Sequence, residues 1–91
     1  MVRKSVSVTK KMSSSSVTRL SRELEKVIGK DSTVETKFGV RVSSDDSWVL
    51  VRESGTEPVM RITTESKQRS KASHIMKETL SLVKQVLTGN A

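Results

Sequence analysis

The chain has no cysteine and no tyrosine, and among its 91 residues one proline, one histidine, one tryptophan and one phenylalanine. Without cysteine there is neither a disulfide nor a thiolate metal site. A single histidine, His74, cannot build a metal site by itself, so no metal-ligating residue is expected. No apolar run approaches the roughly 20 residues of a membrane-spanning helix. Met1-Val2-Arg3-Lys4-Ser5 carries charge with no apolar segment behind it, which is not the pattern of a signal peptide. A soluble, cytoplasmic protein without a membrane partner is the expectation. With 33% hydrophobic residues and only Phe38 and Trp48 aromatic, a core must rest on Val, Leu, Ile and Met. That suits one modest domain over residues 1–91.

What the chain has in excess is positive charge, +7 overall. Such a balance raises the question of a nucleic-acid partner. Its distribution answers cautiously. Residues 1–30 hold eight Lys/Arg against two acids, net +6, and residues 67–91 hold five against one, net +4. Residues 31–66 hold four against seven, net −3. The excess flanks an acidic middle, and the helical lysines and arginines lack the interleaved aromatics on which bases stack. Nucleic acid is therefore not expected as a partner.

Val2, Val6 and Val8 alternate loosely with polar residues, as in a short strand. The run Ser13–Ser16 offers an N-cap to a helix in which Val17, Leu20, Leu24, Val27 and Ile28 form one apolar stripe. Gly29 stands where that helix should stop. Phe38, Val40 and Val42 alternate as a strand, with Val34–Thr36 a short piece before it. Ser43–Ser47 read as a turn, Trp48–Arg52 as a second strand and Val59–Thr64 as a third. Ser66 is a plausible cap for a second helix carrying Ala72, Ile75, Met76, Leu80, Val83, Val86 and Leu87, with Gly89 ending it. The order β-α-β-β-β-α reads as an α+β domain: an antiparallel sheet of about four strands with two helices on one face.

The segment Arg52 to Arg61, R-E-S-G-T-E-P-V-M-R, interrupts this regular pattern. Two guanidinium groups flank hydroxyls from Ser54 and Thr56, and Gly55 permits a backbone that turns amides inward. Convergent cationic forks, amides and hydroxyls are what a phosphate monoester requires. Pro58 fixes its own φ and drives Glu57 toward extended geometry. The same residue types also make an ordinary strand-to-strand turn. If Arg52 pairs opposite Val59, Arg61 lies on the same face, diagonally displaced, while Val49, Val51, Met60 and Ile62 share the other.

Gly39-Val40-Arg41-Val42, then Ser47 to Pro58 and finally Arg61-Ile62, resemble the C-terminal domain of the α-D-phosphohexomutases, the family of phosphoglucomutase, phosphomannomutase and phosphoglucosamine mutase. The resemblance covers nearly the whole chain and is most specific from Trp48 to Ile62. It implies a TATA-binding-protein-like α+β fold and a substrate-phosphate site made by Arg52, Ser54, Gly55, Thr56 and Arg61. Glu57 and Pro58 would support the loop. Two positions depart from the pattern: Glu53 stands where many relatives have Pro, and Phe38 replaces an acidic residue. The family's complete enzymes also need a phosphoserine loop, an aspartate-rich Mg²⁺ loop and a sugar-recognition loop, each on another domain. None is in this chain, so no catalytic residue and no cofactor are expected in it. Mg²⁺ belongs to the complete enzyme.

The resemblance thus implies part of an isomerase, an intramolecular phosphotransferase, that holds the phosphate of a hexose phosphate and is inactive alone. Its partners would be the phosphosugar and the other mutase domains. A separately encoded subunit completing a split mutase is one alternative. A basic nucleic-acid-binding protein on the same fold is the other. Ala72-Ser73-His74 repeats part of the family's phosphoserine loop but lies inside a helical pattern, and a surface histidine accounts for it. Asp45-Asp46 could be imagined as metal ligands, yet a hairpin turn explains them.

Overall fold

The computed structural model describes residues 2–8, 14–29, 31–37, 39–53 and 59–87. They form β1 (Val2–Val8), α1 (Ser14–Ile28), β2 (Thr33–Glu35), β3 (Val40–Ser43), β4 (Ser47–Glu53), β5 (Met60–Ser66) and α2 (Arg69–Leu87). The strands make one antiparallel sheet in the order β1-β5-β4-β3-β2. The expected α+β architecture is borne out. The short piece near Val34 becomes a fifth strand, three residues long, at one edge.

Alternation decides which face is covered. Val40 and Val42 on β3, Val49 and Val51 on β4, and Met60 and Ile62 on β5 are all fully buried. They point to one side because successive side chains of a strand alternate. The helices cover that side: α1 packs over β3 and β2, α2 over β5 and β1, and the two touch each other. Leu20, Leu24 and Ile28 fill the α1 contact, and Ala72, Ile75, Met76, Val83 and Val86 fill that of α2. These are the apolar stripes read from spacing. His74 lies on the exposed side of α2, within the helix.

Helix α1 ends as expected. Gly29 has φ +130° and its N–H donates to the Glu25 carbonyl at 2.8 Å, a backbone that favours glycine. Ser66 is a correction: it is the last residue of β5 and does not cap α2. Its buried hydroxyl accepts the Gln68 N–H at 3.3 Å, while the first turn of α2 closes from Ala72 N–H to the Gln68 carbonyl at 3.0 Å. The helix begins later because the last residue of β5 is still paired with β1 and β4. Of the run Ser13–Ser16 expected to supply a cap, Ser14, Ser15 and Ser16 are already helical; Ser13, strand residue Phe38 and the helix stop at Gly89 lie outside the described residues.

A polar tie holds the β3–β4 turn to the start of α2. Ser44 N–H donates to the Ser47 carbonyl at 2.8 Å, and Lys67 N–H to the Asp46 carbonyl at 3.1 Å. Lys71 Nζ donates to both carboxylate oxygens of Asp46 at 2.9 Å, and Ser47 Oγ to Oδ1 at 3.1 Å. The Lys71 hydrogen bonds, followed by that of Ser47, hold the Asp46 carboxyl below its ordinary value of 3.8.

Three outcomes follow from this packing. Gly39 has φ +121°, and a Cβ there would collide with the Val51 carbonyl oxygen and stand 2.9 Å from Cα and Cβ of Arg52. Gly29 has open space where its Cβ would go. Gly39→Ala should therefore lower the thermal midpoint more than Gly29→Ala, which carries only the backbone strain of about 1–3 kcal/mol; paired melts by circular dichroism measure the difference. Thr79 is fully buried and its hydroxyl has no hydrogen-bond partner among the described residues. Thr79→Val should stabilise the chain by about 1 kcal/mol in urea unfolding, since it removes an unpaired group at constant shape. The Asp46 tie contributes fully above pH 3.8, the unfolded value, and is lost as pH falls through the lower native value. The stability gap between the parent and Asp46→Asn should shrink over that acid range and stay constant above it.

Candidate functional site

The uncovered face of the sheet carries the arginines. Cross-strand pairing arranges its outward residues in rows. One row runs Arg3, Glu65, Trp48, Ser43, Thr33, and the next runs Thr63, Leu50, Arg41, Glu35. A third holds Ser7, Arg61 and Arg52, ending beside Gly39. Arg52 and Arg61 are thus direct partners, opposite each other across β4 and β5.

This corrects the expected register by two residues, since Arg52 pairs with Arg61 and not with Val59. Six residues join the strands in either register: 53–58 in the expected one and 54–59 in the observed one, where Glu53 pairs with Met60. A slip of two preserves every facing. Val49, Val51, Met60 and Ile62 still share the buried side, and the arginines still share the open one. Ser54, Gly55, Thr56, Glu57 and Pro58 lie outside the described residues. The structure therefore brings together the two charged members of the expected site, at the base of the segment that carries the others.

Both guanidinium side chains are exposed, and neither makes an ion pair with a described residue. Like charges directly opposite one another on a sheet are unfavourable. With Cβ atoms roughly 5 Å apart, an oxyanion between the two forks relieves that repulsion and receives charge-assisted hydrogen bonds from both.

The first row shows what an arginine on this face does when it has a partner. Arg3 Nε donates to Glu65 Oε2 at 3.3 Å, and Trp48 Nε1 donates to Glu65 Oε1 at 3.2 Å. Arg3 Cζ lies 5.7 Å from the Trp48 ring centroid on the β1 side, and Arg41 Cζ 4.8 Å from it on the β3 side. Cation–π attraction at these distances gives about 0.5–1 kcal/mol per exposed contact. Trp48 and Glu65 thus hold Arg3, and Trp48 holds Arg41, whereas Arg52 and Arg61 stand in the third row without such support from a described residue.

Beside Arg52 a groove of about 670 Å³ opens, lined by Glu35, Thr36, Lys37, Gly39, Arg41, Leu50 and Arg52. Sequence reasoning missed it. The burial of Val40 and Val42 already implied that Arg41 points outward, but its neighbourhood with Leu50 and Glu35 depends on two strand registers. Asp46, in turn, is spent on Lys71, as a structural turn residue would be. Among the described residues no three His, Asp or Glu side chains converge to hold a metal ion. No helix of the described residues is long and apolar enough to cross a membrane.

The sequence matches a model of the phosphoglucomutase/phosphomannomutase C-terminal domain over residues 6–82. It is 46% identical over 70 residues to a probable phosphoglucosamine mutase of Methanothermobacter thermautotrophicus, covering 76% of this chain and 16% of that protein. To a phosphoglucosamine mutase of Methanococcus maripaludis it is 40% identical over 70 residues, covering 77% and 15%. The chain thus spans about a sixth of the length of these relatives. The fold is similar to that of a phosphoglucomutase/phosphomannomutase family protein from Burkholderia thailandensis, with a TM-score of 0.59 and 22% identity over 93% of this chain and 18% of that one. With the sheet, its open arginine row and these matches together, the chain belongs to the phosphoglucomutase/phosphomannomutase family as its C-terminal domain.

Proposed function

We propose that this domain anchors the phosphate of a hexose phosphate through Arg52 and Arg61 while the rest of a phosphohexomutase transfers a phosphoryl group within the sugar. The carrying observation is the direct pairing of two exposed arginines at the foot of the Ser54-Gly55-Thr56 segment. In this reading each guanidinium donates N–H groups to phosphate oxygens. Ser54 and Thr56 add hydroxyl donors, Gly55 adds its amide, and Glu57 and Pro58 support the segment. The role given to Glu57 in this reading is to orient an arginine or the loop, because a carboxylate beside the dianion would repel it.

Anchoring is a positional contribution to catalysis. It holds the phosphate that is not reacting and thereby fixes where the reacting end of the sugar lies. The chemistry itself needs a phosphoryl donor and Mg²⁺ to manage the developing charge, and those belong to other mutase domains, in the same polypeptide or a separate one. By itself the chain binds weakly and does not isomerise sugar phosphates. In this reading the work is cytoplasmic.

The experiment is a titration of the 91-residue chain with glucosamine 6-phosphate, following its amide signals. Saturable shifts at residues 52 and 61 at millimolar ligand are expected. Arg52→Ala and Arg61→Ala should each weaken binding at least tenfold, in line with about 1.5–3 kcal/mol for a hydrogen bond to a charged group. Both variants should keep the parent melting temperature, since the residues are exposed. A folded chain with no response at tens of millimolar ligand contradicts the proposal.

A further inference from the structure

On the open face of β4, Trp48 and Leu50 each stand between two side chains. Trp48 has Glu65 on one side and Ser43 on the other, and Leu50 has Thr63 and Arg41. Arg52, next in the series, has Arg61 on its β5 side but only Gly39 on its β3 side. Gly39 precedes Val40, the partner of Val51, so the chain entering β3 runs along the end of β4. The approach is close. A Cβ on Gly39 would collide with the Val51 carbonyl oxygen and stand 2.9 Å from both Cα and Cβ of Arg52, inside the roughly 3.5–4.0 Å of ordinary carbon–carbon contact. Gly29 has a similar backbone, φ +130° against +121°, yet nothing lies within 4 Å of its would-be Cβ. Positive φ accounts for a glycine at both positions; only Gly39 also touches Arg52.

From this contact we infer that Gly39 is a positioning residue for the phosphate site: its main chain fixes Cα and Cβ of Arg52, and so the point from which that guanidinium reaches the anion beside Arg61. The inference rests on the phosphate reading, and it adds a residue from the approach to β3 to a site otherwise drawn from β4, β5 and the segment joining them. A wall of main chain has no rotamers to exchange, so it holds the foot of the arginine in one place. Any side chain at position 39 pushes Arg52 away by about half an ångström or more before ordinary contact is restored. Hydrogen bonds from a guanidinium fork to an anion are directional, and a displacement at Cβ is carried to the end of a long side chain. The two arginines then no longer close on one point, although neither has been removed.

The test is a double-mutant cycle on the 91-residue chain, with glucosamine 6-phosphate as the probe and amide titration as the readout. Gly39→Ala is expected to weaken binding about tenfold, the scale of a lost hydrogen bond to a charged group. Gly29→Ala, equally strained but remote from Arg52, should stay within about twofold of the parent. Because Gly39 acts through Arg52, adding Gly39→Ala to Arg52→Ala should weaken binding by less than about twofold further, whereas a general loosening of the domain would add its full factor. A second readout needs no variant and decides the matter if Gly39→Ala does not fold. Nuclear Overhauser contacts from the Gly39 α-protons to the Arg52 β-protons should be present in the free chain and persist at saturating ligand. Parent-like affinity in folded Gly39→Ala, an equal loss in Gly29→Ala, an undiminished effect without Arg52, or disappearance of those contacts on binding overturns the positioning role and leaves the phosphate reading standing. No binding by the parent chain overturns both.

Discussion

The register of β4 against β5 is the constraint on which the rest depends. With Arg52 opposite Arg61 and Val51 opposite Ile62, one pairing sorts the molecule into two halves. On one side Val49, Val51, Met60 and Ile62 are buried under α1 and α2. On the other, two cations meet with no ion pair from any described residue. A slip by one residue would exchange the faces, exposing the core and burying guanidinium groups. Core packing and the meeting of the two arginines are therefore one choice. The hydrophobic side supplies the free energy that holds two like charges together.

That arrangement makes physical sense of an otherwise unfavourable cross-strand pair. Elsewhere on the same face, cations are matched: Arg3 to Glu65, and Arg3 and Arg41 to the ring of Trp48. The tryptophan also donates to Glu65, so the first row is a connected network. Gly39 contributes by its lack of a side chain, letting the chain before β3 lie against Arg52. At the far end of the sheet, Lys71 and Asp46 fasten the β3–β4 turn to α2. Between these two ties, Arg52 and Arg61 make no ion pair with a described residue.

Much of the fold was legible in the sequence, because the relevant signals are local. The stripe Val17, Leu20, Leu24, Ile28 could only be a helix face, and the alternation Val40–Val42 and Val49–Val51 could only be strand. Gly29 announced its own turn. What failed was what depends on distant pairing. Ser66 resembles a cap when seen beside α2, yet β1 and β4 hold it as strand. Arg52 was set opposite Val59, whereas the strands close at Glu53 and Met60; six residues join the strands either way, so loop length does not separate the two registers. The arginine pair was legible as residues and not as partners. The groove from Glu35 to Leu50 was not legible at all, since it joins three strands whose registers no local pattern reveals.

The central claim is that Arg52 and Arg61 act on one anion together. It is tested most directly by observing their guanidinium N–H signals in ¹⁵N-edited spectra of the chain during titration with a hexose phosphate. The account predicts that both signals shift downfield along one common isotherm, as two forks closing on the same phosphate must. It is contradicted if only one of them responds, if the two follow different isotherms, or if neither moves while ligand binds elsewhere on the domain.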